Sequence, residues 1–374
     1  MPVGTLKNTL YGAALPAFGK RCEWKAHTEL EKILHSHHAV GACVQRFEKG
    51  RLTDCYCVGY AMLEDERLPV TPDTVFRTAS IAKMVTALLV FRLQTQGKLH
   101  VQQDIQDFLG YEARNPHHPH APITLAMLLS HTSGMVDSQA YFASFQKPVL
   151  LQSLLHDPQT YTASAPGLQF RYSNFAAGMI GCLLEKTFGM SLETLAQKEL
   201  FEPLGVQATY DLTQAQNVAD SYRVLPSGLA FDAQSRRQKA QPLDEADGEH
   251  HYLLASGSLY LTARDLAKLT LAAWNGAEGF ISEESLRQMH TPLLGWPEPQ
   301  VNMKHGMGLL QLEDQAISAR TLWGHQGFAY GAVNGVFFDA EGNGFASLNS
   351  GVSERRIGHL ALINRDLIRL WMKK

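Results

Sequence analysis

The hydrophobic positions near the amino terminus follow first a helical and then a strand-like period. Residues 26–37 (AHTELEKILHSH) predict an amphipathic helix. The segments 39–47 (AVGACVQRF) and 53–62 (TDCYCVGYAM) predict two strands. The turn signal Lys49-Gly50 lies between them, so the two strands are expected to form a hairpin.

The middle of the chain favours helices. Residues 80–99 (SIAKMVTALLVFRLQTQGKL) predict the strongest one, because apolar residues recur at helical spacing as far as Gly97. Further helices are predicted at 123–130, 150–156, 175–188, 191–200 and 262–275. The segment 208–252 is polar and irregular, and predicts a loop or a small insertion.

The last part of the chain returns to a strand pattern. From residue 305 it contains GMGLLQL, RTLWGHQG, GAVNGVFFDA and GFASLNSG, with a turn at 339–344 between the last two. An amphipathic helix is predicted over 355–372. The simplest architecture is an α/β (α+β) sandwich: an antiparallel sheet built from both ends of the chain, flanked by helices, plus an inserted helical domain.

This architecture divides the chain into three parts. Residues 1–25 are expected to be an amino-terminal extension, and 26–90 together with 253–374 the α/β domain. The intervening 91–252 is expected to be a mainly helical inserted domain. A site at the seam between the two domains would be typical of such a fold.

Composition narrows the classes of partner. The chain has 374 residues, of which 45% are hydrophobic, and a net charge of −3, so there is no general electrostatic case for nucleic acid. No run of 18 apolar residues exists, so no membrane span is expected. The apolar stretch 10–18 is interrupted by Gly12 and Pro16 and makes a poor signal peptide. A cytoplasmic location is expected if Met1 is the native start, and an extracytoplasmic one if a signal peptide was removed.

Neither a disulfide framework nor a metal site is predicted. The five cysteines are few for the length of the chain and lack the paired spacing of zinc sites; they are Cys22, Cys43, Cys55, Cys57 and Cys182. Cys55 and Cys57 would share one face of a strand, but ordinary buried thiols are the favoured interpretation. The histidines of 116–120 (PHHPH) are interpreted as an exposed loop.

Ser80 and Lys83 are the first candidates for chemistry. Three residues apart on a helix, they face the same side, so the amine can reach the hydroxyl. Serine is a weak nucleophile and needs such a neighbouring base. A second SxxK, Ser144 to Lys147, precedes Pro148 and no long helix follows it, so it is interpreted as solvated chain.

Two further triplets complete a candidate set. In Tyr172-Ser173-Asn174, a phenol near a lysine can relay protons. The amide of Asn174 can hold both Lys83 and a substrate carbonyl. In His325-Gln326-Gly327, the glycine would let a substrate backbone approach closely. His131 and His305 are interpreted as structural histidines.

The three motifs, in this order, resemble a family of serine acyl-transfer enzymes. That family comprises class C β-lactamases, DD-peptidases, D-aminopeptidases, family VIII esterases and penicillin-binding-like proteins. Longer segments are similar too, including VFRTASIAKMVTALLVFRLQTQGKL, PITLAMLLSHTSGM and FRYSNFAAGMIGCLLEKTFGMSL. The resemblance covers roughly residues 26–374 and implies a β-lactamase/transpeptidase-like fold.

The resemblance also implies a role for each motif residue. Ser80 would become acylated, Lys83 and Tyr172 would activate it and move protons, and Asn174 would orient the substrate. The backbone N–H groups of Ser80 and Phe328 would form the oxyanion hole. No metal or organic cofactor is implied.

One departure from the family pattern affects the expected substrate. Most β-lactamases carry Lys-Thr-Gly or Lys-Ser-Gly where this chain has His325-Gln326-Gly327. A neutral histidine gives no full charge to a substrate carboxylate and gains one only toward acid pH. Gln326 replaces the small hydroxyl residue that commonly helps to bind that carboxylate. Strong β-lactamase activity is therefore not expected.

The expected activity is that of a serine hydrolase acting through an acyl-enzyme. Its substrate would be a peptide amide, such as one containing a D-residue, or a small ester, and β-lactams would be covalent ligands. Two alternatives remain open: an acyltransferase of the same family, and a non-catalytic penicillin-recognising protein. Covalent labelling of Ser80 and ester turnover would distinguish an enzyme from a receptor.

Overall fold

We describe a computed structural model of the chain over residues 19–21, 23–63, 67–233, 242–297 and 299–373. The helices are α1 Glu29–Ser36, α2 Ala82–Thr95, α3 Ile105–Leu109, α4 Leu125–Leu129, α5 Gln139–Ala143, α6 Leu151–Leu155, α7 Asn174–Phe188, α8 Leu192–Ala196, α9 Leu254–Gly257, α10 Ala263–Asn275, α11 Glu283–His290 and α12 Leu362–Trp371. Short 3-10 turns lie at Ala79–Ile81 and Pro158–Thr160, and a π-helical turn at Gln197–Phe201.

The strands fall into one large sheet and several small ones. They are β1 Lys20–Arg21, β2 Gly41–Glu48, β3 Arg51–Met62, β4 Leu68–Pro69, β5 Phe76–Arg77, β6 Ala208–Thr209, β7 Tyr222–Val224, β8 Leu229–Asp232, β9 Tyr260–Leu261, β10 Leu294–Gly295, β11 Met303–His305, β12 Leu310–Leu312, β13 Leu322–Ala329, β14 Ala332–Asp339, β15 Gly344–Gly351, β16 Arg356–Ile357 and β17 Leu360–Ala361. The large sheet has nine strands in the order β10-β11-β12-β13-β14-β15-β2-β3-β4.

The large sheet is antiparallel and joins the two ends of the chain, as the sequence predicted. The decisive pairing is that of β15 with β2, in which Ser347 lies opposite Val44. The hairpin β2–β3 forms at the predicted turn, where Lys49 and Gly50 both have a positive φ. The predicted antiparallel sheet built from both ends of the chain is therefore confirmed.

Hydrophobic cores cover both faces of the sheet. One face packs against α10, and the core on that side continues into α2 and α7. The other face packs against α1 and α12, whose apolar stripes include Leu34 and Leu367. Helix α2 is buried on almost every side, which explains why its residues 84–91 are nearly all apolar or small.

The predicted helix α1 shows how local sequence sets an element boundary. Thr28 accepts a hydrogen bond from the N–H of Glu31, and the Glu31 carboxylate accepts one from the N–H of Thr28. This reciprocal capping box satisfies two donors that a helix start otherwise leaves open. The helix therefore starts at Glu29 rather than at residue 26.

One sequence-based prediction needs correction. The final helix starts at Leu362 rather than at 355, because residues 356–361 form the small hairpin β16–β17. Within the segment 208–252, predicted as a loop or a small insertion, β7 and β8 pair with each other and β1 pairs with β8. The predicted domain boundaries remain a prediction, and residues 1–18, with the signal-peptide question, lie outside the described residues.

Among the described residues of the chain, no helix is both long enough and apolar enough to cross a bilayer.

Candidate active site

Ser80 lies in a tight turn at the start of the long helix. The turn Ala79–Ile81 is a 3-10 helix, and α2 follows it directly. Ala79 has a φ of 52°, in the left-handed region that a residue with a Cβ adopts only under strain. Ser80 therefore lies in the short turn that leads into the helix predicted over 80–99, on a backbone held by its surroundings.

Lys83 is fixed between three segments. Its Nζ lies 3.1 Å from Ser80 Oγ, 3.0 Å from Asn174 Oδ1 and 2.6 Å from the backbone oxygen of Ser256. Lys83 is 5% exposed. An ammonium group has three N–H donors, and these three oxygens can accept all of them. The structure therefore brings together three of the residues that the sequence singled out.

Tyr172 lies against the same lysine. Lys83 Nζ is 5.2 Å from the centroid of the Tyr172 ring, and the His131 ring stacks on it at 4.3 Å. Burial raises the pKa of the Tyr172 phenol, while a hydrogen bond with Ser80 acts in the opposite direction. The phenol is therefore protonated at neutral pH and adjoins the Ser80 hydroxyl.

Asn174, at the start of α7, is held at both ends of its amide. Its Oδ1 accepts from Lys83, and its Nδ2 donates to Asp137 Oδ2 at 2.8 Å. Asp137 also accepts from Ser173 Oγ at 3.0 Å and from the Phe175 N–H at 2.9 Å. Asp137 therefore caps the helix and orients the Asn174 amide. It also accepts one of the two Nδ2 hydrogens of Asn174, which leaves one hydrogen for a substrate carbonyl.

Strand β13 passes very close to the Ser80 turn because residue 327 is glycine. A Cβ at Gly327 would lie 2.3 Å from the backbone oxygen of Thr78 and 3.1 Å from the N atom of Ser80. Gly327 therefore permits this close passage of β13. The approach of a substrate backbone to Gly327 remains a prediction.

The side chain of Gln326 points away from the site, which corrects its predicted role in substrate binding. Its Nε2 donates to the backbone oxygen of His359. Its Oε1 accepts from the Ala361 N–H and from Asn364 Nδ2, each at 3.2 Å. Side chains alternate along a strand, so the residue beside the inward-facing His325 must face the opposite side. Gln326 anchors β17 and α12 to the sheet.

His325 is buried beside two other histidines. Burial and the positive charge of Lys83 lower the pKa of His325 to about 3. Its ring centroid is 6.2 Å from that of His305, which in turn is 5.8 Å from that of His131. Burial also lowers the pKa values of His131 and His305. All three rings are therefore neutral at neutral pH, and His325 offers no full charge to a carboxylate.

A pocket of about 430 Å³ opens in front of Ser80. Its walls are aromatic with a few charged groups; they include Asn174, Tyr141, Phe145, Phe328, Tyr330, Arg77, Arg223 and Glu354. Phe328 packs under the guanidinium of Arg356, 3.8 Å from its ring centroid. The predicted residue Phe328 thus lines the same pocket as the predicted nucleophile.

The sequence profile of the Beta-lactamase family matches residues 27–366. The chain belongs to the β-lactamase family. The match spans most of the chain and includes every motif discussed above, so the family resemblance drawn from the sequence is confirmed.

Curated relatives of this β-lactamase-family chain differ in their names. A putative fimbrial assembly protein FimD of Dichelobacter nodosus is 27% identical over 301 residues, covering 79% of this chain and 71% of that protein. Penicillin-binding protein 4* of Bacillus subtilis (strain 168) is 24% identical over 278 residues, covering 71% of this chain and 58% of that protein.

Solved structures show the same fold. EstCE1, described as a hydrolase with promiscuous acyltransferase activity, superposes with a TM-score of 0.73 at 21% identity, covering 91% of this chain and 96% of that one. A D-amino acid amidase from Ochrobactrum anthropi SV3 superposes with a TM-score of 0.69 at 21% identity, covering 92% and 97%.

The second SxxK of this β-lactamase-family chain is not a rival site. Ser144 Oγ donates to the backbone oxygen of Tyr141 at 2.7 Å, at the end of the short helix α5. Lys147 is exposed. The pair Ser144 and Lys147 therefore lacks a buried lysine like the one that contacts Ser80. The prediction that this segment is solvated is wrong for Ser144, which is 3% exposed.

Sequence reasoning missed two groups that shape the site. Asp137 follows the segment HTSGM, and nothing in its local sequence shows that its carboxylate reaches α7. The backbone oxygen of Ser256 carries no side-chain signature at all. His131, predicted to be a structural histidine, stacks on Tyr172, and its Nδ1 accepts from the Ser173 N–H at 3.3 Å.

Proposed function

We propose that this chain is a serine hydrolase that forms a covalent acyl-enzyme on Ser80. The observation that carries the proposal is the position of Lys83 Nζ, 3.1 Å from Ser80 Oγ and held in place by Asn174 and Ser256. A hydroxyl becomes a useful nucleophile when a fixed proton-accepting group lies within hydrogen-bond reach. Membership of the β-lactamase family supports the same chemistry.

The reaction has two stages. The reaction starts from the form in which the pair Lys83 and Tyr172 has lost one proton, because a lysine ammonium beside a neutral phenol cannot accept another. Ser80 Oγ attacks the substrate carbonyl carbon, and its proton passes to this pair. The bond from carbon to the leaving amine or alcohol then breaks, and that atom takes the proton. Water next attacks the acyl carbon, the bond to Ser80 Oγ breaks, and the serine regains a proton.

The oxyanion that develops on the carbonyl would bind between two backbone N–H groups, those of Ser80 and Phe328. The close passage of β13 past the Ser80 turn, which Gly327 permits, supports this pairing. Backbone donors fixed before the reaction stabilise such charge effectively because they need no reorganisation. Asn174 would orient the substrate with the amide hydrogen that Asp137 does not use.

The substrate we propose is a small amide with a D-residue or a small ester. The pocket in front of Ser80 presents Tyr141, Phe145, Phe328 and Tyr330, which favour an apolar or aromatic acyl group. His325 is neutral, so the strand offers no full charge to the carboxylate of a β-lactam. The solved relative described as a D-amino acid amidase supports this choice.

Turnover of a chromogenic ester and of a D-phenylalanine amide tests the proposal. We expect the wild-type chain to hydrolyse at least one of them, and Ser80→Ala to lose that activity by a factor of roughly 10³ or more. Ser144→Ala is the matched control, since it removes the serine of the second SxxK, and it should keep wild-type turnover.

The same measurements distinguish a hydrolase from the two alternatives, an acyltransferase and a non-catalytic penicillin-recognising protein. Transfer of the acyl group to an added alcohol, in preference to water, would identify an acyltransferase; such activity is part of the description of the relative EstCE1. Folded wild-type protein without turnover of any acyl donor would leave the penicillin-recognising protein as the better account.

A further inference from the structure

Three cysteines outside the Ser80 site meet on one face of the hairpin β2–β3. Cys43 lies directly opposite Cys57 in the register, and Cys55 is two residues before Cys57 on the same strand. All three side chains therefore point to the same face. Cys43 Sγ is 3.0 Å from Cys57 Sγ and 3.6 Å from Cys55 Sγ, and all three sulfur atoms lie within 4.8 Å of one another.

The cluster of three cysteines is buried on one side and partly exposed to solvent on the other. Cys43 is buried, while Cys55 and Cys57 are partly exposed. Helix α10 packs on this hairpin, and its Arg264 lies close enough to act on Cys55 electrostatically. An ion could therefore enter from the side of Cys55 and Cys57 and reach Cys43 without unfolding the hairpin.

A metal ion binds the thiolate form of cysteine, so binding would displace the thiol protons of the three side chains.

The spacing fits a soft metal ion. Zinc–sulfur bonds of about 2.3 Å place the sulfur atoms of a tetrahedral site about 3.8 Å apart. The observed 3.6 Å from Cys43 to Cys55 is within about 0.2 Å of that value, and the distance from Cys55 to Cys57 is at most 4.8 Å. The distance of 3.0 Å from Cys43 to Cys57 would widen by about 0.8 Å, which a partly exposed Cys57 side chain can accommodate by rotation. Three sulfur donors without carboxylates select soft ions over magnesium or calcium.

We propose that Cys43, Cys55 and Cys57 form a binding site for one soft divalent cation of the zinc and cadmium type, with its fourth position open to water. The site is separate from Ser80, because β14 and β15 lie between β13 and β2 in the sheet. It joins β2 to β3 and would stabilise the hairpin at the edge of the sheet rather than take part in acyl transfer.

The test is a cadmium titration of the full chain, reduced and kept free of oxygen. Every protein in the set carries Cys22→Ser, which removes the one cysteine that lies outside the described residues. Sulfur-to-cadmium charge-transfer absorption in the ultraviolet should saturate at one ion per chain. Histidine does not produce this band, so ions bound at His117 or His118 would not be mistaken for it.

Single substitutions then assign the ligands. Cys55→Ser and Cys57→Ser should each weaken cadmium and zinc affinity by about tenfold or more and remove part of the absorption. Cys182→Ala is the matched control, because Cys182 lies in α7 away from the cluster, and it should bind as the parent does. Bound cadmium should also raise the midpoint of thermal unfolding of the parent but not of Cys43→Ser.

Two results would overturn the site. One is a folded, fully reduced parent that shows no saturable sulfur-to-cadmium absorption. The other is absorption and stoichiometry that persist unchanged when Cys43, Cys55 and Cys57 are all replaced by serine. The titration of the parent decides the matter even if Cys43→Ser, whose side chain is buried, fails to fold. Loss of ester turnover plays no part in the readout, so the outcome is independent of the proposed hydrolase activity.

Discussion

At the scale of single residues, the site depends on how completely Lys83 and Asn174 are held. Lys83 Nζ has three oxygen acceptors, and the Asn174 amide spans from that lysine to Asp137. The motif residues Ser80, Lys83 and Asn174 could be predicted because their chemistry is in their side chains. Asp137 could not, because its role depends on where a loop places it.

Asp137 should behave as a positioning residue. Asp137→Asn keeps the shape but provides one acceptor oxygen instead of two, so we expect kcat for ester hydrolysis to fall about tenfold with KM little changed. Asp137→Ala should fall further and lower the free energy of unfolding by about 1–3 kcal/mol, because it also uncaps α7. Steady-state kinetics and urea unfolding measure the two effects. If Asp137→Asn and Asp137→Ala lost the same amount of stability and neither lost kcat, Asp137 would act only as a helix cap.

At the scale of elements, the site forms where the Ser80 turn meets β13. The sequence predicted α2, β13 and the hairpin turn at Lys49 because each has a strong period or turn signal of its own. It did not predict that Gly327 serves the contact between two backbones, nor that Gln326 faces α12. Contacts between distant segments leave no local pattern.

Gly327→Ala tests this contact. The added Cβ would meet the Thr78 oxygen at 2.3 Å, so β13 or the Ser80 turn must move. We expect ester turnover to drop by a factor of roughly 10² or more, and stability to fall by about 1–3 kcal/mol. Gly97→Ala is the control for turnover: no atom of the described residues lies within 4 Å of a Cβ at Gly97, although its φ of 69° makes alanine cost some stability there. Its turnover should equal that of the wild type.

At the scale of the whole molecule, folding buries a group of neutral histidines beside a charged lysine. The sequence predicted the sheet and its helical cover, because long apolar segments at both ends must share a core. It did not predict that His131, His305 and His325 would meet, since they lie far apart in the chain. The same limit applied to Cys43, Cys55 and Cys57, whose convergence required the register of β2 against β3.

The buried histidines make stability depend on pH. Their pKa values are lowered in the folded state, so above about pH 7.5 they are neutral in both states and have no effect. As the pH falls through about 6.5, the unfolded chain takes up protons that the folded chain does not, and stability is lost. A histidine that stays neutral in the folded state down to pH 5 lowers the free energy of unfolding by about 1.6 kcal/mol between pH 6.5 and pH 5.

The substitution His305→Phe tests how much His305 contributes to this loss of stability at acid pH. The ring of His305 stacks on Phe170 at 4.8 Å, and its Nε2 has no hydrogen-bond partner among the described residues, so phenylalanine suits the position. The variant should lose less stability than the wild type when thermal unfolding at pH 7.5 is compared with that at pH 5. If the wild type and His305→Phe lost the same amount of stability between pH 7.5 and pH 5, His305 would not be neutral in the folded state.

The most direct measurement is the intact mass of the protein after brief incubation with an activated ester and, separately, with a penicillin. We expect one acyl group per chain, mapped to the peptide that contains Ser80, in the wild type and in Ser144→Ala. No adduct should form in Ser80→Ala. An adduct that persists in Ser80→Ala, or its absence from folded wild type with every acyl donor tried, would contradict the assignment of Ser80 as the nucleophile.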